Sequence, residues 1–465
     1  MKRNKLYAGV ILALAAGGAQ AYAPGFSHNT VIRMGGASAQ DGNLESVIYN
    51  DICVADANRN RWSYNNSNSD FRAISCTTKA FGTIPAGLTL LVLKRSSGGS
   101  YFGAGPLQTP VETIDFINPN GTCSAASSVA GYTHNCTQLS SQTINAGISD
   151  VNPEMFVGVN VPTGQREFSR PQDVTVYKGT GLVFGAAVSL TLRDTLQNLL
   201  VAGGKLPAQC NTTDRESVSC MPSIPRQMLS SALGGTLLDA SQIAINGTDL
   251  VTAAGAAAPA NTAFQICRRE NGSGTGAVAN FFALNNPCAT SKIPLTTNND
   301  NTEVQENSTS GAQDSCLATA GRWTIGYNST ERNVSRSLGY RFVKVDGVEP
   351  TIRNVWAGKT SMWGEITVQH RADEANTNIV NIVSQLAGDI STPARTAARN
   401  TGFNHSFGQG GYVTIVDPAK GYAPNSAWSA ANPVVGINHI QGNLDNCRFP
   451  LLDLTDTTNS KIVIE

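Results

Sequence analysis

Apolar and polar positions along the chain follow two rhythms. Short apolar runs recur at Val31-Ile32-Arg33-Met34, Leu88 to Lys94, Thr143-Ile144-Asn145-Ala146 and Ala263-Phe264-Gln265-Ile266-Cys267. Runs of this length, closed by turn formers, predict strands. Between them, apolar residues return at helical spacing. Leu44, Val47, Ile48 and Ile52 form one stripe, and Leu192, Leu196, Leu199 and Leu200 form another within Leu190 to Val201. Ile379, Val380, Ile382, Val383 and Leu386 mark a third helix, and Gly276 to Leu284 reads as a fourth. Val174 to Val188 is rich in β-formers and glycine. The Ala/Gly/Pro stretch 253–261 reads as a loop, and the polar, Asn/Thr-rich 294–315 as a solvated excursion. Strands alternating with helices predict an α/β fold with largely parallel sheets. No tandem repeat is present.

Four predicted strands run into glycine-containing turns: Gly36-Ala37-Ser38, Ser96-Ser97-Gly98-Gly99, Gly147-Ile148-Ser149-Asp150 and Arg269-Glu270-Asn271-Gly272-Ser273-Gly274-Thr275. Ligands of parallel sheets gather at such carboxyl ends. The last turn carries the most chemistry, because a strand, a glycine turn and a helix start aim several backbone N–H groups at one point. Up to four are unsatisfied at a helix N-terminus, where the helix dipole also favours negative charge. Ser273 and Thr275 add hydroxyls, and Arg269 adds a planar fork suited to an oxyanion. The segment is a candidate anion cradle.

Composition narrows the partners. The 465 residues carry 33 basic and 33 acidic side chains. Lys2, Arg3 and Lys5, the apolar run Tyr7 to Ala16 and small residues ending at Ala21 or Ala23 read as an export leader over 1–23. Without it the remainder is slightly acidic, which argues against nucleic acid or an anionic membrane surface but not against a small anion. The apolar run is too short to span a membrane. No cysteine precedes Cys53, so no lipid attachment site accompanies the leader, and a periplasmic or secreted location is expected. Ten cysteines in an exported chain predict disulfides. Local spacing pairs Cys53–Cys76, Cys123–Cys136, Cys210–Cys220 and Cys267–Cys288, leaving Cys316–Cys447. The five histidines are scattered and no Cys-x-x-Cys occurs, so neither a zinc site nor a cofactor is expected. No nucleophile–base arrangement is evident, and Gly36-Ala37-Ser38 matches a nucleophile elbow only in part. Arg268 reads as a solvated neighbour of the cradle, and Trp356 and Trp363 as core.

The order of the four turns resembles the phosphate-binding proteins of bacterial ABC transporters, a branch of the type 2 periplasmic binding protein superfamily. There a Gly-Ala-Thr turn, a Ser-Ser-Gly-Gly turn, a Gly-x-Ser-Asp segment and an Arg-x-x-Gly-Ser-Gly-Thr loop converge on one phosphate. Thr324-Ile325-Gly326-Tyr327 and Lys344-Val345-Asp346-Gly347-Val348-Glu349-Pro350-Thr351 resemble two further family segments. The resemblance implies a two-lobed fold with disulfide-bonded insertions, lobe 1 formed by 24–175 and 345–465 and lobe 2 by 176–344. Hinge strands are expected near 174–188 and 338–345. It assigns Ser38, Ser97 and Asp150 to one side of a phosphate and Arg269, Ser273, Gly274 and Thr275 to the other.

On this reading Asp150 accepts the proton of hydrogenphosphate, whereas sulfate would leave a buried carboxylate facing an anion. The implied protein is a non-enzymatic, monomeric solute-binding component that delivers phosphate or a similar tetrahedral oxyanion to a permease. Two departures support an alternative, a secreted surface or matrix protein with an altered pocket. Ala39 stands where the family has a large aromatic, and two disulfide loops lengthen the path from Ser38 to Asp150.

Overall fold

The computed structural model describes residues 27–210, 215–237, 239–288, 293–298, 302–438 and 451–452. The expected leader at 1–23 and Cys447 lie outside them. Strand β1 (Thr30–Gly36) is central and pairs in parallel with β2 (Thr89–Arg95) on one side and β3 (Ala146–Ser149) on the other. An antiparallel hairpin, Asn60–Tyr64 and Ser67–Thr77, extends the sheet beyond β2. Where one strand was expected over 143–146 there are two pieces, because Leu139–Thr143 pairs with Thr113–Ile117 in a separate ribbon.

Strand β4 (Val174–Ser189) joins the two lobes. Its second half, Phe184 to Val188, pairs antiparallel with residues of the second lobe and leads into α1 (Leu190–Ala202). Ser189 Oγ caps that helix by accepting from Leu192 N (3.3 Å). The second lobe is built on β5 (Phe264–Arg269), which leads through the glycine turn into α2 (Gly274–Leu284). Parallel β6 (Thr302–Asn307) and β7 (Thr324–Ser329) flank β5, and α3 (Ser310–Leu317) connects them. The chain returns through β8 (Trp363–Arg371), which lies between the first half of β4 and β3. Then α4 (Thr377–Ile390) buries Ile379, Ile382, Val383 and Leu386, as its spacing predicts. Strand β9 (Tyr412–Ile415) lies against the middle of β4. The result is a two-lobed α/β protein in which β1 to β9 belong to one continuous sheet, with separate two-stranded ribbons beside it. No helix among the described residues is long and apolar enough to cross a membrane. Trp356 and Trp363 are buried as expected.

Three sequence expectations are corrected. The segment 294–315 is not a solvated excursion, since it supplies β6 and most of α3. An edge strand is hydrogen-bonded along one side only and needs few apolar residues, so its composition looked like loop. The stretch 253–261 begins inside a short helix, Leu250–Ala254, and a following 3-10 turn. Cysteine pairing follows spacing for Cys53–Cys76, Cys123–Cys136 and Cys210–Cys220, but Cys267 pairs with Cys316 rather than with Cys288. Helix α3 packs over β5 and carries Cys316 to it, a contact that depends on β6 and α3 being formed. Cys288 is disulfide-bonded as well.

Backbone packs directly on backbone where β1, β3 and the turn after β2 meet. A Cβ on Gly35 would lie 2.0 Å from Phe102 O, one on Gly36 1.8 Å from Ile148 O, and one on Gly147 1.8 Å from Gly103 O. Backbone atoms cannot rotate aside, so only glycine fits. Gly147→Ala is expected to lower stability by about 3 kcal/mol or more. Gly42→Ala, whose Cβ meets nothing within 4 Å, should be neutral. Urea unfolding of both variants checks this, and equal midpoints would refute the packing argument.

Candidate functional site

Four chain segments converge where the two lobes meet. From the first lobe come the turn after β1, the turn after β2 and Asp150 at the end of β3. From the second comes Arg269 with the start of α2, and the charge of Glu331, just beyond β7, also acts on Asp150. The lobes touch through backbone: Tyr101 N donates to Gly272 O (2.8 Å), and Gly272 N donates to Asn160 O (3.0 Å). Asn280 Nδ2 also donates to Asn160 Oδ1 (3.0 Å). Gly274 sits so close to the first lobe that a Cβ would lie 2.6 Å from Ser100 Oγ and 2.8 Å from Asp150 Cβ. The glycines of the cradle thus serve approach between lobes.

Asp150 is buried. Its amide donates to Ser100 Oγ (3.1 Å), and its Oδ1 accepts from Gln40 Nε2 (3.4 Å). Burial pushes its carboxyl up to about 7, helped by the charge of Glu331 and opposed by Arg269. Arg269 is also buried, and its guanidinium is held from the flank. Nε donates to Asn307 O (2.9 Å), Nη2 to Ser308 O (2.8 Å) and Nη1 to Ser310 Oγ (3.3 Å). Three of its five N–H groups are placed by the β6–α3 turn, which leaves two for a ligand. Ser273 is the N-cap of α2, where its hydroxyl accepts from Gly276 N (3.2 Å). Thr275 Oγ1 is buried without a hydrogen-bond partner among the described residues, as is Gln40 Oε1.

The sequence-predicted residues therefore separate into two groups. Asp150, Gly274 and Ser273 come together across the seam, with Thr275 following in the first turn of α2 and Arg269 close enough for its charge to act on Asp150. Ser38 stands half-buried in the turn that carries Gln40, and Gln40 occupies the N-cap position of the helix that follows without a side-chain cap bond. Ser97 is not brought to Asp150. It lines a surface depression with Glu270, Asn271, Glu306 and Ser308, and Ser100, three residues on, takes the place beside Asp150. Positive φ at Gly98 and Gly99 turns the chain so that Ser100 faces inward. Arg268 is not solvated: it is buried between β6 and β7, pairs with Glu306 (3.2 Å) and donates to Leu295 O (3.1 Å). As β5 is a central strand, both its faces are covered.

Other site residues escaped the sequence reading. Lys94 is fully buried, and its ammonium donates to Gly36 O (2.8 Å), Arg95 O (3.0 Å) and Ser96 Oγ (2.9 Å) while facing Asp41 at 3.3 Å. Asp41 also pairs with Arg72 (2.7 Å). A lysine closing the apolar run Leu90-Leu91-Val92-Leu93 was its only signal. Tyr412, buried on β9, donates to Ala39 O (3.3 Å) and stands by the turn that lacks an aromatic of its own. Nothing local could have revealed that pairing across 373 residues.

Comparison with known proteins adds little to this geometry. No family model matches the chain, and no curated protein does. Among solved structures, the chain resembles a Clostridium perfringens protein assigned as a phosphate ABC transporter substrate-binding protein, with phosphate bound. That likeness covers 78% of this chain and 96% of the other at 10% identity, with a TM-score of 0.40. PstS from Borrelia burgdorferi is similar over 78% of this chain and 95% of its own at 12% identity and a TM-score of 0.33. An ABC-type phosphate transport receptor from Vibrio cholerae is similar over 52% and 73%, at 11% identity and a TM-score of 0.30. With TM-scores of this size, what the chain binds has to be read from its own residues.

Asp150 gives a direct handle on the site. Its folded value of about 7 lies above the ordinary carboxylate value of about 4. The folded state holds a proton that the unfolded chain releases, so this group's contribution is complete below pH 4 and is lost as pH rises through about 7. Ligand-free protein should therefore lose stability between pH 4.5 and 7.5, by at most about 1.4 kcal/mol per pH unit from this group. Asp150→Asn should lose less. Parallel urea-midpoint profiles for the two proteins would show that Asp150 titrates normally.

Proposed function

We propose that this chain is an exported solute-binding protein that holds inorganic phosphate, or a similar protonated tetrahedral oxyanion, between its two lobes and presents it to an ABC-type permease. The observation that carries the reading is the meeting of a buried carboxyl, Asp150, with a buried guanidinium and a helix N-terminus across the interlobe seam. Arg269 and the first turn of α2 supply donors and positive potential to an anion. Asp150 supplies an acceptor for a ligand hydroxyl, which hydrogenphosphate has and sulfate lacks at neutral pH. Thr275 Oγ1 and Gln40 Oε1 offer further polar contacts. Ser38 and Ser273 keep their assigned places near the ligand, whereas Ser97 gives way to Ser100. Strand β4 serves as a hinge, with lobe 1 drawn from 24–175 and 345–465 and lobe 2 from 176–344.

A second reading, a secreted surface or matrix protein with an altered pocket, is favoured by one specific observation. The lobes bond directly to each other through Tyr101, Gly272, Asn160 and Asn280, so part of their contact is made by protein atoms. Isothermal calorimetry on phosphate-stripped protein separates the readings. Phosphate should bind and sulfate should not. Arg269→Ala should weaken phosphate at least about 100-fold, equivalent to about 2.7 kcal/mol, and Asp150→Asn should narrow the gap between the two anions. A folded protein that gives no heat with either anion would transfer the case to the second reading.

A further inference from the structure

Away from the seam, a buried cation lacks a carboxylate of its own. Arg193 on α1 is 1% exposed. Its Nη2 donates to Arg215 O (2.8 Å), and its Nη1 donates to Gln197 Oε1. Asp194 lies 3.4 Å from Nη1, but that carboxylate is engaged by Arg215. Arg215 Nε donates to Asp194 Oδ1 (2.9 Å), and its Nη2 donates to Oδ2. Burial disfavours the charge on Arg193, and Asp194 offsets this only in part. A buried charge with a shared partner is costly, and an anion reaching it would lower that cost.

Arg193 lines a pocket of about 390 Å³ that opens to solvent, and so do Arg215, Arg336 and Arg341. Glu216, in the loop closed by the Cys210–Cys220 disulfide, stands among these arginines. Its Oε1 accepts from Arg341 Nε (2.8 Å) and its Oε2 from Ser406 Oγ (3.1 Å). Arg336 Nε stays 3.8 Å from Oε2, and its guanidinium makes no hydrogen bond among the described residues. His405 adds no charge, because burial holds its ring neutral, and its Nε2 donates to Thr330 O (2.6 Å). Four guanidinium groups therefore meet two carboxylates.

The remaining wall is apolar. Phe342 and Phe407 have ring centroids 6.1 Å apart, and His405 stacks on Phe407 at 4.8 Å. Buried Met221 also lines the pocket, as does Val218, which is 39% exposed. An inorganic anion would answer the arginines but leave this apolar surface to water. A carboxylate carried on an apolar body answers both. We propose that this pocket is a second binding site, for an organic carboxylate whose charge is met by the arginines and whose apolar body lies against Phe407 and Val218. Arg336 supplies free donors, and Arg193 supplies charge that is not fully balanced. Glu216 shows that a carboxylate is accommodated between Arg341 and Ser406. The site shares no residue with the interlobe seam and does not depend on the phosphate reading.

The test is calorimetry at pH 7.0 with three probes: 3-phenylpropionate, acetate, which lacks the apolar body, and 3-phenylpropan-1-ol, which lacks the charge. Wild type should bind 3-phenylpropionate and hold each of the other two about 10-fold more weakly or less tightly still. Arg336→Ala should weaken 3-phenylpropionate about 10-fold, as loss of a charge-assisted contact implies, and Arg336→Lys should fall between. Phe407→Ala should lower affinity for 3-phenylpropionate and leave that for acetate unchanged. Urea unfolding of each variant confirms that it is folded, and phosphate affinity should be the same in Arg336→Ala as in wild type. No heat with 3-phenylpropionate from folded wild type overturns the proposal. So does binding that Arg336→Ala leaves intact, and equal affinity for acetate overturns the role given to the apolar wall.

Discussion

The structure depends on places where one backbone lies against another with no side chain between. Gly35, Gly36, Gly103 and Gly147 bring β1, β3 and the turn after β2 within a carbonyl's radius of one another. Further along the same turn, Gly99 meets Gly272 and Ser273 of the opposite lobe, and Gly274 meets Ser100 and Asp150. The two sets are continuous. Packing inside the first lobe sets where Ser100 stands, and Ser100 fixes the Asp150 amide. The lobe-to-lobe contact inherits that position. Glycine is the only residue that permits it, at the conformational cost glycine always carries.

Such close approach has an electrostatic consequence. Strand ends drawn together converge their carbonyls, and those of Gly36 and Arg95 are met by the Lys94 ammonium rather than by water. The lysine is in turn balanced by Asp41, and Asp41 by Arg72. A buried network of this kind is weak evidence for stability, since desolvation offsets most of the Coulombic gain. Glu45 also pairs with Arg72 (3.2 Å), so two cations meet two carboxylates and the base of the first-lobe site is close to neutral. Asp150 and Arg269 then carry the charges at the contact between the lobes, with Glu331 acting on Asp150 and Glu270 and Arg332 acting on Arg269.

Much of this was legible in the sequence, and the limits have physical causes. Apolar runs located β1, β2, β5 and α4, because burial on both faces or along one stripe leaves a periodic trace. The glycine turns marked the strand ends, and Arg269, Gly274 and Asp150 lie on or beside them. What failed depended on partners distant in the chain. Strand β6 is polar because it is an edge, so α3 and the Cys267–Cys316 bridge that follow from it were lost too. Motif spacing points to Ser97, whereas after two left-handed glycines it is Ser100 that stands against Asp150. Glu331 and Tyr412 carry no local signal at all. They are seen only once β7 and β9 are laid beside β4.

The closed seam also bears on how binding energy would be used. Among the described residues, three hydrogen bonds link Tyr101, Gly272, Asn160 and Asn280 across the seam, worth about 0.5 to 1.5 kcal/mol each, and form among protein atoms alone. They favour the closed arrangement whether or not a ligand is present. A ligand can shift an opening equilibrium only through contacts that differ between the two arrangements. Here those are the two remaining N–H groups of Arg269, the first turn of α2 and Thr275 Oγ1. To the extent that these bonds populate the closed form, less affinity is forfeited to the conformational step, because apparent affinity scales with the competent fraction. The same closure narrows the range of motion that a ligand could signal to a partner. Transport and surface roles thus place opposite demands on these three bonds: uptake requires that they yield, and a purely structural role that they hold.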